Sequence, residues 1–202
     1  MTQNEEDLFK AAKSGDLKAL RAALERGVNV NVVRNHGKRT PLHEASWNGH
    51  SECARLLIER GAEVEARSDS GSTPLHYMAE SGCIEGARLL LDHGAEVNSR
   101  DDFKRTALHW AAGNGHPEVV RFLVKQGADV NGPDRNDMTP MHEAAQDGEA
   151  GCVRALFDCG ADPTIWDNKG RTARDIAQEK GWDECVALLD DYAFQETPYA
   201  PC

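Results

Sequence analysis

The stretch "TPLHEASWNGHSECARLLIERGAEVE", Thr40–Glu65, decides the fold because its pattern returns along the chain. The threonine that opens it recurs every 33 residues. The later copies are TPLH at Thr73, TALH at Thr106, TPMH at Thr139 and TARD at Thr172. The Gly-Ala near the end of the stretch recurs with the same spacing. A period of this length indicates an array of small repeated units that share one continuous core.

Each repeat predicts two short helices. Thr40 is a good N-cap and the proline after it suits the first helical turn, so one helix begins there and ends near Gly49. A second helix carries its apolar residues at Cys53, Leu56 and Leu57 and ends near Gly61. The polar segment that follows is rich in turn formers. Because such a unit cannot bury its apolar face alone, it must stack on its neighbours.

The pattern G-x-TPLH-x-A…GH…LL…GA-(D/E)-V-N resembles the ankyrin-repeat family, from about residue 5 to about residue 190. This resemblance implies an all-α fold, an ankyrin-repeat solenoid of six stacked helix-turn-helix units with short hairpin loops. It also implies that partner proteins bind on the concave surface. Its hairpins and first helices would carry the binding residues at positions that the repeat pattern leaves variable.

We predict a single ankyrin-repeat domain over residues 1–191 and a C-terminal tail over residues 192–202. The first unit lacks TPLH and carries acidic residues early, while the last replaces the histidine by Asp175. Both are typical of polar capping repeats. The unit boundaries are about 4–34, 35–67, 68–100, 101–133, 134–166 and 167–191.

Composition narrows the classes of function. The chain of 202 residues has a net charge of −11, which disfavours binding to phosphate backbones or anionic lipid. No apolar run approaches the ~18 residues of a membrane span, and the start resembles no secretory signal. We therefore predict a cytoplasmic and/or nuclear protein that binds neither nucleic acid nor membrane.

The histidines and cysteines invite a catalytic or metal-binding interpretation, which the repeats disfavour. His43, His76, His109 and His142 recur once per repeat, as structural residues do. The family resemblance implies that each hydrogen-bonds locally and to the neighbouring hairpin. Three cysteines share one column with a valine, as small core residues do: Cys53, Val119, Cys152 and Cys185. We predict no catalytic residue, no metal site, no cofactor and no small-molecule substrate.

The candidate partner-binding residues occupy the variable columns. Trp47, Tyr77 and Trp110 are predicted to form a nearly continuous aromatic track, because aromatic and arginine side chains are enriched in binding hot spots. The alternative is that a given ring packs between repeats. Trp166 and Trp182, near the last repeat, fit structural roles better. The full candidate set is Arg39, Glu44, Trp47, Asn48, Tyr77, Glu80, Phe103, Arg105, Trp110, Asn114, Met138 and Glu143.

The predicted function is a non-catalytic interaction module or adaptor, whose partner is another protein with an extended or partly basic segment. A second hypothesis is that the chain is a substrate of an asparagine hydroxylase. The V-N of its hairpins resembles the sites at which ankyrin domains are hydroxylated. The matching positions are Asn31, Asn98 and Asn131.

Two departures from the pattern predict local irregularities. Met78 stands where the other repeats have alanine, which predicts a small shift of the packing. The glycine two residues before the threonine, Gly71 or Gly170, is replaced by Lys38, Lys104 or Asp137 in the remaining repeats. Hairpins of a different shape are expected there.

Overall fold

The computed structural model describes residues 2–193, and its regular structure is α-helical. Within this range there are twelve helices and no strands, so the predicted all-α fold of helix-turn-helix repeats is confirmed. The helices are α1 Gln3–Ser14, α2 Leu17–Glu25, α3 Pro41–Trp47, α4 Ser51–Glu59, α5 Pro74–Glu80, α6 Ile84–Asp92, α7 Ala107–Gly113, α8 Pro117–Lys125, α9 Pro140–Asp147, α10 Ala150–Asp158, α11 Ala173–Lys180 and α12 Asp183–Ala193.

The chain divides into two compact units, Met1–Asp102 and Phe103–Cys202, each with three helix pairs. In the first, α3 packs between α1 and α5, and α4 packs between α2 and α6. In the second, α9 packs between α7 and α11, and α10 packs between α8 and α12. Each unit is therefore a short stack of three repeats. The single domain over 1–191 stays a prediction.

The C-terminal tail was predicted to begin at residue 192, but α12 continues to Ala193. The rest of that predicted tail, residues 194–202, lies outside the described residues.

The recurring threonine and histidine start the first helix of a repeat and join it to the next hairpin. The backbone N–H of Thr40 donates to His43 Nδ1 at 3.0 Å, and the other three TxxH repeats have the same bond at 3.1 Å. His43 Nε2 lies 3.2 Å from the Ser72 carbonyl of the following hairpin. A carbonyl only accepts, so Nε2 carries the proton and Nδ1 accepts. The predicted structural role of this histidine is confirmed.

The hairpins share a positive φ at one position despite their different sequences. Gly71 and Gly170 have φ of 71° and 72°, in the left-handed region that glycine favours. Lys38, Lys104 and Asp137 also have positive φ, at 43°, 62° and 58°. The expected difference in shape is therefore absent at this torsion. It is present in the Arg34–Arg39 hairpin, whose closing backbone hydrogen bond spans one residue more than that of Asp167–Arg171. Stacking of the repeats imposes the positive φ on residues for which it costs about 1 kcal/mol or more.

Gly86 makes room for the side chain of Met78. Gly86 stands in the column that holds Cys53 and Val119 in other repeats, and it is buried in α6. A Cβ atom added to Gly86 would overlap the sulfur of Met78, which is itself fully buried. The larger side chain at Met78 thus fills the space that the missing side chain at Gly86 leaves.

Exchanging these two volumes gives a test of the packing. Gly86→Val alone should destabilise the protein by about 1–3 kcal/mol through overpacking, and Met78→Ala alone by about 2–5 kcal/mol through a cavity. The double variant, which restores the side chains of the other repeats, should be more stable than either single variant. Urea denaturation of all four proteins measures this coupling, and additive losses would contradict it.

Burial of the histidines predicts an acid-sensitive fold. Desolvation lowers the pKa of His43 to about 4, and burial also lowers the pKa of His142. The unfolded chain protonates histidine near pH 6.5, so stability is complete above that pH and is lost as pH falls toward about 4. For His43 the loss is roughly 3 kcal/mol.

The matched variant is His43→Gln, which removes the titrating group and keeps a polar side chain. Measured by urea unfolding at about pH 7 and about pH 4.5, the wild type should lose more free energy of unfolding than the variant. Equal losses in the two proteins would show that His43 does not carry this dependence.

Candidate functional site

In the first unit, the candidate site centres on Trp47 at the end of α3. Its side chain is 41% exposed. The Arg39 guanidinium lies over its ring, 4.6 Å from the centroid, and the Tyr77 ring lies 6.2 Å away at 47°. Trp47 is thus held in position by a cation and a second ring while part of its surface stays in solvent.

Tyr77 does not extend an exposed track. It is 8% exposed and packs edge-on against His43, with centroids 5.6 Å apart. The interpretation of Tyr77 as a surface anchor is therefore corrected: it supports Trp47 from within the repeat stack. The sequence could not show this, because its column contains both buried Ile176 and partly exposed Trp110.

Glu44 is also buried, at 1% exposure, so its predicted direct contact with a partner is corrected as well. Its Oε1 lies 3.3 Å from Arg39 Nε and 3.9 Å from Arg34 Nη1. A buried carboxylate needs compensating charge, and the two arginines supply it. Glu44 therefore acts as a positioning residue that anchors Arg39 beside Trp47.

In the second unit, the candidate residues form a layered cluster of rings and guanidinium groups. The guanidinium carbon of Arg105 lies 5.1 Å from the Trp110 ring centroid and 5.4 Å from that of Phe103. The guanidinium carbon of Arg135 lies 5.7 Å from the Phe103 ring centroid. The backbone N–H of Arg135 donates to the Phe103 carbonyl at 2.9 Å. Phe103 is 50% exposed, and Trp110 is partly exposed.

Arg135 was missed by the sequence analysis, although the sequence contains a signal for it. The corresponding hairpin position is Asp69, Asp102 or Asn168 in other repeats, so Arg135 reverses the sign of the charge there. Comparing charge as well as hydrophobicity in each column would have found it.

The remaining candidates have varied environments. Met138 is buried and its carbonyl accepts from His109 Nε2 at 3.1 Å, so its interpretation as a surface contact is corrected. Asn48 and Asn114 are exposed, and each amide donates at 2.8 Å to a carbonyl one turn earlier. Glu80 and Glu143 are half-buried.

The two tryptophans that were assigned structural roles differ. Trp182 Nε1 donates to the Gln146 carbonyl at 3.1 Å, and its ring approaches Gly148 so closely that a Cβ there would overlap it. That structural role is confirmed. Trp166 is 68% exposed, so burial gives it no such role.

The cysteine column belongs to the core. Cys53, Cys152 and Cys185 are buried, and burial raises the pKa of Cys152 to about 12 and that of Cys185 to about 11. These thiols stay protonated and are poor nucleophiles. Among residues 2–193, no group of three or more His, Cys, Asp or Glu side chains is arranged to hold a metal ion. In the same part of the chain, no helix has the length and apolar character needed to cross a membrane.

Comparison with known proteins identifies the repeats. The family model described as "Ankyrin repeats (3 copies)" matches residues 8–101 and 94–167, which is most of the chain. The chain belongs to the ankyrin-repeat family. Ankyrin repeats are protein-interaction modules, and that family is generally non-catalytic.

Several proteins are similar over part of this ankyrin-repeat chain. The human "Ankyrin repeat and SOCS box protein 18" is 43% identical over 29% of this chain and 12% of its own length. The "Probable E3 ubiquitin-protein ligase XBOS32" of Oryza sativa subsp. japonica is 41% identical over 33% of this chain and 14% of its own length. The bovine "Ankyrin repeat domain-containing protein 49" is 42% identical over 29% and 24%. In each case the chain matches a quarter or less of the relative.

Proposed function

We propose that this chain is a non-catalytic interaction module that binds an extended segment of a partner protein. The observation that carries the proposal is that each compact unit holds an arginine against a solvent-exposed aromatic cluster. In the first unit the pair is Arg39 and Trp47, and in the second Arg105 lies against Trp110 and Phe103.

The chemistry of these clusters favours recognition of protein. An exposed ring offers apolar area that loses little conformational entropy on binding. A guanidinium stacked by its face on a ring keeps its donors at its edge, where they suit backbone carbonyls and carboxylates. A partner segment in which apolar side chains alternate with hydrogen-bond acceptors would contact the exposed ring and also accept from the guanidinium group. The net charge of −11 additionally favours a partner with basic residues elsewhere.

The names of two relatives refer to a SOCS box and to an E3 ubiquitin ligase. Those names support an adaptor role, in which the repeats select a protein and present it to other machinery. The adaptor role belongs to this proposal. So does a cytoplasmic or nuclear location.

The double variant Trp47→Ala, Trp110→Ala tests the site. Peptides selected from a random displayed library on the wild-type chain should bind this variant at least roughly thirtyfold more weakly, since a hot-spot residue contributes about 2 kcal/mol or more. Fluorescence polarisation with the selected peptides measures the dissociation constants.

The matched control is Trp166→Ala, which removes an exposed tryptophan outside the two clusters. It should bind the same peptides with unchanged affinity. Undiminished binding by the double variant, or an equal loss in the Trp166 variant, would place the binding site elsewhere.

The second candidate function, hydroxylation of hairpin asparagines, ranks lower because hairpin amides have structural partners, as Asn31 and Asn131 show. Asn31 Nδ2 donates to the Gly61 carbonyl at 3.0 Å and its Oδ1 accepts from Glu63 N at 2.9 Å. Asn131 Oδ1 accepts from Asp162 N at 2.9 Å. Asn98 is exposed. A modifying enzyme would have to open the hairpins at Asn31 and Asn131.

Hydroxylation is checked by mass spectrometry of the protein isolated from its native cells. Modification adds one oxygen, about 16 Da, to the peptide that carries the asparagine. A mass increase of this size at Asn31, Asn98 or Asn131 would support this candidate. Unmodified peptides at all three positions would remove this candidate.

A further inference from the structure

A second feature of the first unit lies directly beside Trp47. It is an open pocket of about 520 Å³ between α1 and the hairpin that precedes α3. Three of its lining side chains are cationic and one is a carboxylate, so the pocket is positive within a strongly acidic chain. The lining residues are Glu6, Lys10, Arg34, Asn35, His36 and Arg39.

Both arginines of the pocket are fixed before any ligand arrives. The Arg34 guanidinium lies 4.7 Å from the centroid of fully buried Phe9, and Arg39 lies over Trp47. The backbone N–H of Arg34 donates to the Arg39 carbonyl at 3.0 Å, which closes the hairpin. Glu44 lies behind them and attracts both. A ligand would therefore pay little entropy to order these side chains.

One donor of each guanidinium group, the Nε–H, is unused among the residues that the structure describes. Nε of Arg34 and Nε of Arg39 are buried and have no hydrogen-bond partner in the described residues. The 3.3 Å approach of Arg39 Nε to Glu44 Oε1 is an ion-pair contact without hydrogen-bond alignment. A buried donor without an acceptor costs about 1–3 kcal/mol. An acceptor that enters the pocket would recover part of this cost.

In the second unit, Arg171 occupies the repeat position of Arg39, and its guanidinium donors are bonded within the chain. Arg171 precedes its threonine as Arg39 does, and it donates through Nε and Nη2 to Asp167 Oδ2 at 3.0 and 2.7 Å. Its Nη1 donates to Glu179 at 2.8 Å. The backbone N–H of Asp167 closes that hairpin by donating to the Arg171 carbonyl.

In the first unit the hairpin-closing position is Arg34, and the hairpin contains one additional residue. A second cation thus stands where the internal carboxylate of the Arg171 hairpin would be. The acceptor that completes Asp167–Arg171 within the chain is missing from the Arg34–Arg39 hairpin.

We propose that this pocket binds an oxyanionic side chain of the partner, a carboxylate or a phosphoryl group, through Arg34 and Arg39 with Lys10 adding charge. The inference rests on the proposed function, because Arg39 lines the pocket and also covers Trp47. A segment with an apolar residue on Trp47 would place a neighbouring acidic or phosphorylated residue in the pocket. Guanidinium groups bind both oxyanions in bidentate geometry.

The test titrates the purified chain with inorganic phosphate or acetate at constant ionic strength and follows the arginine Nε–Hε signals by NMR. Saturable shifts of the Arg34 and Arg39 signals are expected, with dissociation constants of roughly millimolar order for so small a ligand. Stronger binding of phosphate would assign a phosphorylated partner residue, and comparable binding of acetate would assign an acidic one. Shifts that are absent or do not saturate for either ion would overturn the proposal.

Variants locate the site. Arg34→Gln should weaken the binding at least about tenfold, and Lys10→Gln, on the exposed face of α1, about threefold. Arg21→Gln removes an exposed arginine of α2 and should leave the binding unchanged. Because Lys10 is exposed, its variant keeps the test valid even if Arg34→Gln fails to fold. Equal effects of the Arg21 and Lys10 variants would show a non-specific charge effect.

The ion titration uses no partner, so the two proposals fail separately. Loss of peptide binding by the tryptophan variant together with no saturable ion binding would leave the aromatic site and remove the anion pocket. Saturable ion binding together with undiminished peptide binding by the double tryptophan variant would leave the anion pocket and remove the aromatic site.

Discussion

One neutral histidine side chain, used at both nitrogens, joins the start of its own helix to the following hairpin at His43, His109 and His142. Nδ1 accepts from the capping threonine, so the ring is fixed at the start of its own helix. Nε2 of His43, His109 and His142 reaches a carbonyl of the following hairpin at 3.1–3.2 Å. Because both bonds need one tautomer and no charge, the core that surrounds the ring can be apolar. The same histidine side chain therefore fixes the start of its helix and the position of the following hairpin.

This constraint explains which parts of the structure the sequence could predict. Thr, His and the apolar helix positions must recur to satisfy it, so their period revealed the repeats and the all-α fold. The left-handed residues Lys38, Lys104 and Asp137 show the opposite case, because stacking imposes a backbone torsion that their side chains disfavour. The exchange of volume between Met78 and Gly86 was hidden for a related reason. Met78 and Gly86 belong to two different columns of the repeat pattern. Each column viewed alone shows only one unusual residue, and the contact between them is visible only in the structure.

The candidate site was predictable only in part. The variable columns contain Trp47, Arg39, Phe103, Arg105 and Trp110, which the structure brings together within their respective units. Variation did not distinguish an exposed side chain from a buried one, as Tyr77 and Glu44 show. Both are variable because they respond to a neighbour in the same stack: Tyr77 supports Trp47, and Glu44 balances Arg39. Such pairs depend on distances across repeats, which column comparison does not contain.

Arg39 and Arg171 occupy the same repeat position, but we propose a binding role only for Arg39, because Arg171 is bonded within its own repeat. Arg171 has a carboxylate at the hairpin-closing residue and a second on α11, so its donors are used and the side chain stabilises the last repeat. Arg39 has Arg34 at the closing position and only the poorly aligned Glu44 behind it. The fold tolerates this arrangement because the faces of both guanidinium groups rest on aromatic rings and Glu44 balances part of the charge. What the rings and Glu44 do not provide is an aligned acceptor, and a charged donor that is fixed in place but incompletely bonded favours binding over stability.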